Sequence, residues 1–341
     1  MRRRAGSGRT TAGLGLAGAL ALAFAVEAPA AELWLHPVLP EAVLKPAPPA
    51  RRGARPSRAP VPPRSAPFPT ALSGESSFVE LTAGERYPEP GAAVPPERID
   101  RTFVRLGAGR PMPLTSPKAD GPLTRLEATW AGQGLATLGV LLAPEARTVP
   151  AAAFETFLGE AGASEALATR QKKKETRKDA KVVAVESARA FAAVVAPPRS
   201  AVTADPAAAR DEALGLPLEI VAGVPPLPLR AGGAFAGSVL LDGSPVAGAV
   251  VRAILPGAAA PVSVVADERG AFTLPLEAEG RLLLAASSAR RTVKADRNKG
   301  EAWKKADWEV RRTTLELLVL PRPPVAAPSP KGTRAPKPKP R

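Results

Sequence analysis

The strongest constraint on the fold is a rhythm in the second half of the chain. From position 218 to 320, short apolar and β-branched runs recur with Gly, Pro and Asp turns between them. The runs cover 218–221, 236–241, 249–255, 262–266, 271–276, 281–286 and 313–320. They are too short for ordinary helices and return about every ten residues, the spacing of an antiparallel sandwich. Two turns are explicit: Asp242-Gly243-Ser244-Pro245 and Asp267-Glu268-Arg269-Gly270. Gly243 and Gly270 are expected at positive φ, and Asp242 and Asp267 are expected to accept nearby backbone N–H groups.

The first half carries the same alternation with one interruption. Residues 76–82 set Val79 and Leu81 against Phe78 and Glu80, and 100–106 alternate in the same way. Residues 123–130 and 135–142 flank Ala131-Gly132-Gln133-Gly134, which predicts a hairpin, and Pro144 is expected to stop the sheet. Pro150 then opens a helix over 151–162, with Phe154, Phe157 and Leu158 on one face. A second helix starts at Ser164, a suitable N-cap, and runs into the basic stretch 171–178, read as an exposed helix face or loop. Residues 189–195 read as a strand or a helix end, and Pro197 to Pro206 as a link.

The expected fold is therefore all-β: two β-sandwich (Ig-like or prealbumin-like) domains, with a short helical insertion in the first. The boundaries are a first β domain over 71–213, with helices at about 151–180, and a second over 214–320. Residues 32–44 give the first domain its N-terminal strand.

Charge separates the remaining segments. The chain holds 47 Lys+Arg against 32 Asp+Glu, a formal charge of +15. Residues 1–31 read as a secretory signal: Arg2, Arg3, Arg4 and Arg9, an apolar run from 12 to 26, then Ala28-Pro29-Ala30. That run is shorter than the ~20 residues of a membrane span. Export to the periplasm or the outside follows. Residues 45–70 and 321–341 each carry six Lys or Arg and no acid, and together hold 17 of the 41 prolines. They are expected to be a disordered insert and a disordered tail, too poor in apolar residues to offset ordering entropy. The rest, 32–44 with 71–320, balances at 31 bases and 31 acids. The basic excess thus belongs to two arms and argues against a nucleic-acid-binding domain. The arms suit an anionic lipid or envelope polymer as partner.

Composition also narrows the chemistry. Without Cys there is no disulfide, thiolate metal cluster or Cys nucleophile, and with one His, His36, no His-rich metal site. Gly232-Gly233 lacks the Lys-Ser/Thr of a phosphate loop, and Gly107-Ala108-Gly109 lacks the rest of a dinucleotide fingerprint. Pairs such as Glu97/Asp100 and Asp307/Glu309 read as surface charges. No enzyme is expected, and no cofactor.

Two resemblances add to this. Residues 237–251, with the Asp267–Leu274 run and Gly280, resemble the Cna-B-like or prealbumin-like β-sandwich repeats of secreted proteins. Such modules scaffold and bind. Their isopeptide bond needs an Asn, and the one Asn, Asn298, lies in a charged stretch. More widely, the chain resembles the NikM-like family (domain of unknown function 4198), described as a periplasmic component of nickel or cobalt uptake. The resemblance covers most of 31–320 outside the insert. It rests on Glu32-Leu33-Trp34-Leu35-His36-Pro37, then 78–84, 130–142, 150–159, 214–221, 280–285, Ala306-Asp307-Trp308-Glu309, and Thr313, Leu315 and Glu316. It implies an exported binding or accessory protein acting beside an inner-membrane transporter, with nickel or cobalt as cargo. The family's usual His before Glu-Leu-Trp-Leu is here Ala31, and none stands near Ser287-Ser288. His36 is what remains as a metal-ligand candidate. The alternative role is a structural or adhesion module tethered by the cationic segments.

Overall fold

The structure, a computed structural model, describes residues 32–38, 70–195 and 209–322. The segments read as a signal (1–31), as the end of the N-terminal strand and the insert (39–69), as a Pro-rich link (196–208) and as a tail (from 323) lie outside the described residues.

The fold is all-β and of sandwich type, with two cores that share one sheet. Ten strands form that sheet. Its main path runs Val262–Val265, Val250–Ile254, Gly280–Arg291, Trp308–Leu320, Ala180–Val195, Gly134–Leu142 and Ile99–Leu106. A five-stranded sheet faces one part of it, in the order Glu32–Val38, Ser76–Gly84, Leu123–Thr129 and Thr115–Asp120, with Ala92–Ala93 beside the second. A four-stranded sheet faces another part, built on Leu218–Ala222 and Ala234–Leu241.

The strand Ala180–Val195 explains how two cores fit on one sheet. Its side chains alternate between faces. Ala188, Ala190, Ala192 and Val194 enter the core with Leu35, Leu81 and Trp130. Phe191 and Ala193 enter the core with Ile220, Phe235 and Leu317. A strand buried on both faces reads as a continuous apolar run, which is why its 189–195 part lacks polar alternation. The strand begins nine residues earlier than that part, at Ala180.

Several local expectations change. The segments around Ala131–Gly134 do not form a hairpin. Leu123–Thr129 pairs with Ser76–Gly84 in the five-stranded sheet, whereas Gly134–Leu142 pairs with Ile99–Leu106 and Ala180–Val195 in the ten-stranded one. The joint crosses from one sheet to the other, and Gly134 takes φ 121° there. Pro144 does not end the sheet: Glu145–Val149 follows it and pairs antiparallel with Ala180–Val195. Pro tolerates this position because it precedes the first paired residue. Thr70, assigned to the insert, opens the strand Thr70–Leu72 on the same neighbour.

The helices Ala151–Glu160 and Ser164–Lys172 fill the expected insertion. Phe154, Phe157 and Leu158 are buried as their spacing predicts. Ala163, not Ser164, occupies the N-cap position of the second helix. Asp179 instead caps the first, its Oδ1 accepting the Ala151 N–H at 3.0 Å. Gly243 and Gly270 take φ 80° and 71°. Asp267 Oδ1 accepts from the Arg269 and Ala271 N–H groups as expected. Asp242 faces Arg311 at 2.6 Å.

Candidate functional site

Paired strands place charges and apolar groups around one cavity of about 260 Å³. Its floor comes from two parallel neighbours, Ala180–Val195 and Trp308–Leu320, in which Ala184 sits opposite Val310 and Glu186 opposite Arg312. Alternation puts Val182, Ala184 and Glu186 on one face, so a polar group follows two apolar ones. Arg147 and Val149 come from the strand that follows Pro144. Phe154 and Phe157 wall the cavity from the first helix, Leu33 and Val94 from the opposite side, and Arg98 stands beside them.

The charges form one alternating ladder. Arg98 pairs with Glu145 in a short contact. Arg147 Nη2 lies 2.6 Å from Glu145 and 3.0 Å from Glu186. Arg312 Nη1 is 3.6 Å from Glu186, and its Nη2 is 3.0 Å from Glu32. Arg252 closes the series, in short contact with Glu32 and 3.3 Å from Glu160. Four arginines thus meet four glutamates. Burial pushes the Glu145 carboxyl up, but Arg147 and Arg98 outweigh it and hold it below its usual value. Burial likewise disfavours the Arg147 cation, and Glu186 with Glu145 more than restores it.

The ladder is not fully satisfied. Arg312 is 7% exposed, yet its Nε and Nη2 make no hydrogen bond, the 3.0 Å approach to Glu32 being off the donor line. Arg98 Nε is buried and unpartnered as well. Such donors are uncommon inside folded proteins.

His36 lies elsewhere. The N-terminal strand Glu32–Val38 crosses the polar face of Trp308–Leu320 through successive contacts. Glu32 meets Arg312, the Leu33 carbonyl accepts from the Thr314 hydroxyl, and His36 Nδ1 is 2.7 Å from Glu316 Oε1. Arg281 holds both Glu316 oxygens, at 3.1 and 2.9 Å, and lies over the Tyr87 ring. The carboxylate that His36 contacts is thus already clamped by a guanidinium, and Glu80, opposite His36 on the neighbouring strand, faces Arg125 at 3.3 Å. Among the described residues no group of three His, Cys, Asp or Glu side chains is placed to hold a metal ion.

Residues 71–290 match the family described as Domain of unknown function (DUF4198), well over half of the 341 residues. The chain belongs to the DUF4198 family. The matched DUF4198 segment is narrower than the 31–320 span of the expected resemblance. It contributes Arg98, Arg147, Glu186 and both phenylalanines to the cavity, while Leu33 and Arg312 come from outside it. No curated protein matches the chain.

Solved structures give distant likenesses. Salmonella alpha-2-macroglobulin reacted with methylamine is 12% identical, with 85% of this chain and 15% of that one covered and a TM-score of 0.22. An ectodomain fragment of ICAM-5 is 12% identical over 76% of this chain and 52% of its own, with a TM-score of 0.19. A domain of intimin is 10% identical over 74% and 96%, with a TM-score of 0.17. The chain thus spans about one seventh of the macroglobulin.

Sequence reading did not single out Arg98, Arg147, Glu186 or Arg312. It ended one strand at Pro144 and began the last at Thr313, which left Glu145, Arg147 and Arg312 in loops. The available signal was the period-two pattern of Glu145 with Arg147, and of Val310 with Arg312.

Proposed function

We propose that this chain is an exported, non-enzymatic binding protein of the cell envelope that holds its ligand in the cavity between the sheets. The observation that carries the reading is a concave, mostly apolar space crossed by a few convergent polar groups, the usual make-up of a ligand pocket. A metal-uptake accessory role, suggested by the family resemblance, would place its cargo at His36. There the Arg281 guanidinium beside Glu316 opposes a second cation, so the reading favours the cavity. The basic segments 45–70 and 321–341 serve in it as attachments to anionic envelope surfaces.

The test is to fill the cavity. Ala184 lies on its floor and is 4% exposed. Ala184→Leu is expected to abolish binding of an apolar, environment-sensitive dye while the far-ultraviolet circular dichroism stays unchanged. Undiminished dye binding in a folded variant would reject the reading. A parallel titration with nickel is expected to show no binding tighter than about 1 mM. Tighter binding that His36→Ala removes would move the site to His36.

A further inference from the structure

We propose that the cavity ligand is a small apolar monocarboxylate whose head is held by Arg312, with Arg98 as a second donor on the same lining. The inference rests on the binding reading above and assigns the chemical class of the ligand.

Charge is the first ground. The groups lining the cavity are Arg98, Arg147 and Arg312 against Glu186, three cations to one anion. Glu145 and Glu32 balance the ladder from outside the lining. A ligand entering the space therefore meets guanidinium groups first, within a ladder that is neutral as a whole.

Unmade hydrogen bonds are the second ground. The buried polar atoms of the lining that make no hydrogen bond are all donors: Arg312 Nε, Arg98 Nε, and Arg312 Nη2, which keeps only its off-line ion pair to Glu32. Each unmade buried bond costs about 1–3 kcal/mol, and more where the group is charged. A ligand that supplies acceptors recovers that cost. Two donors on one guanidinium suit the two oxygens of a carboxylate. No comparable acceptor waits for an ammonium: Arg147 Nη1 faces Glu186 Oε1 at 3.4 Å, and Nη2 faces Oε2 at 3.0 Å. An amino acid would satisfy half of itself.

Size and surface supply the third ground. A volume of 260 Å³ lies just below the range of about 300–1,000 Å³ for drug-sized ligands, which implies a small body. Phe154, Phe157, Val94 and Val182 surround that body, so it is alkyl or aryl. A dianionic phosphate ester would bring a second charge that these arginines, each already paired with a glutamate, do not offset.

Calorimetric titration of the purified chain with octanoate and 4-phenylbutyrate, beside 1-octanol and octylamine, tests the assignment. The acids are expected to bind about tenfold or more tighter than the alcohol, and the amine weakest, since charge-assisted hydrogen bonds are roughly twice as strong as neutral ones. Arg312→Met and Arg98→Met are each expected to cut the acid affinity about tenfold and leave the alcohol unchanged. Arg98 is partly exposed, so its variant tests the head group even where Arg312→Met fails to fold. Equal binding of acid and alcohol would overturn the carboxylate assignment and leave the cavity reading standing. Preference for the amine would overturn the sign of the recognition. Failure of all four probes, with dye binding also absent from the parent chain, would overturn both.

Discussion

Arg189 has no solvent exposure, and the residues around it answer that isolation one by one. Its Nη2 donates to Asp211 Oδ1 at 2.8 Å and to the Glu212 carbonyl at 3.2 Å, and its Nη1 donates to the Ile220 carbonyl. Glu219 Oε1 lies 3.4 Å from Nε. Both acids do a second task. Asp211 also accepts from the Ala222 N–H and the Thr137 hydroxyl. Glu219 accepts from the N–H groups of Leu214, Gly215 and Leu216. One buried guanidinium thus fixes the loop that leads into the four-stranded sheet. Removing one partner of a buried ion pair costs about 3–5 kcal/mol, because the charge left behind stays desolvated. Arg189→Met leaves two such charges, and urea denaturation should show a loss of at least that size. Arg189→Lys keeps the charge but loses the planar fork, and an intermediate loss is expected. If Arg189→Met lies within about 1 kcal/mol of the parent, the cluster is not what holds the loop. A lone Arg ahead of an apolar run is visible in the sequence. Its acids, 22 and 30 residues further on, are not, because no local rule says which loop carboxylates return to a given strand face.

Elements were legible where a single face decides the pattern. The strand Ser76–Gly84 buries Val79 and Leu81 and exposes Phe78, as alternation predicts, and the first helix buries its three expected residues. Strand neighbours were less legible, since a turn-like joint looks the same whether it closes a hairpin or crosses between sheets. Ala131–Gly134 illustrates this: both flanking runs are strands, yet they belong to different sheets. The candidate cavity was hidden for a related reason: Arg147 lies in a short strand just after Pro144, and Arg312 lies in the dense charge before Thr313, so both segments looked like loops. Turns defined by backbone geometry were the clearest features, and two of them make a graded test. Gly270 has φ 71°, and an added Cβ would stand 2.8 Å from the Val246 nitrogen and 3.0 Å from the Val239 carbonyl oxygen. Gly243 has φ 80° with nothing within 4 Å of the same position. Gly243→Ala should therefore cost about 1–2 kcal/mol, the left-handed penalty alone. Gly270→Ala adds a backbone clash and should cost more, read from the shift in denaturation midpoint at constant slope. Equal costs would show that the chain relaxes around Gly270 without penalty.

The whole molecule is governed by the strands Ala180–Val195 and Trp308–Leu320, which pair in parallel over nine residues, from Val182 opposite Trp308 to Ala190 opposite Glu316. One strand lies before the expected boundary at 213/214 and the other after it. Leu135, Phe191 and Ala193, from before that boundary, share a core with Leu284, Leu315 and Leu317, from after it. Unfolding 214–320 alone would strip Ala180–Val195 of its parallel partner and expose one of its apolar faces to water. Unfolding the first part alone would leave Trp308–Leu320 with an unpaired edge. Burial of apolar surface stabilises by about 25 cal/mol per Å², so neither half loses its partner without losing much of its own stability. The described body should therefore melt as one unit, in a single calorimetric transition whose measured and van't Hoff enthalpies agree. Ala193→Asp, a charge placed 0% exposed in the shared core, should lower that transition as a whole. Two resolved transitions, with the substitution moving one and sparing the other, would instead mean that the shared sheet parts along its 190/316 register before either core melts.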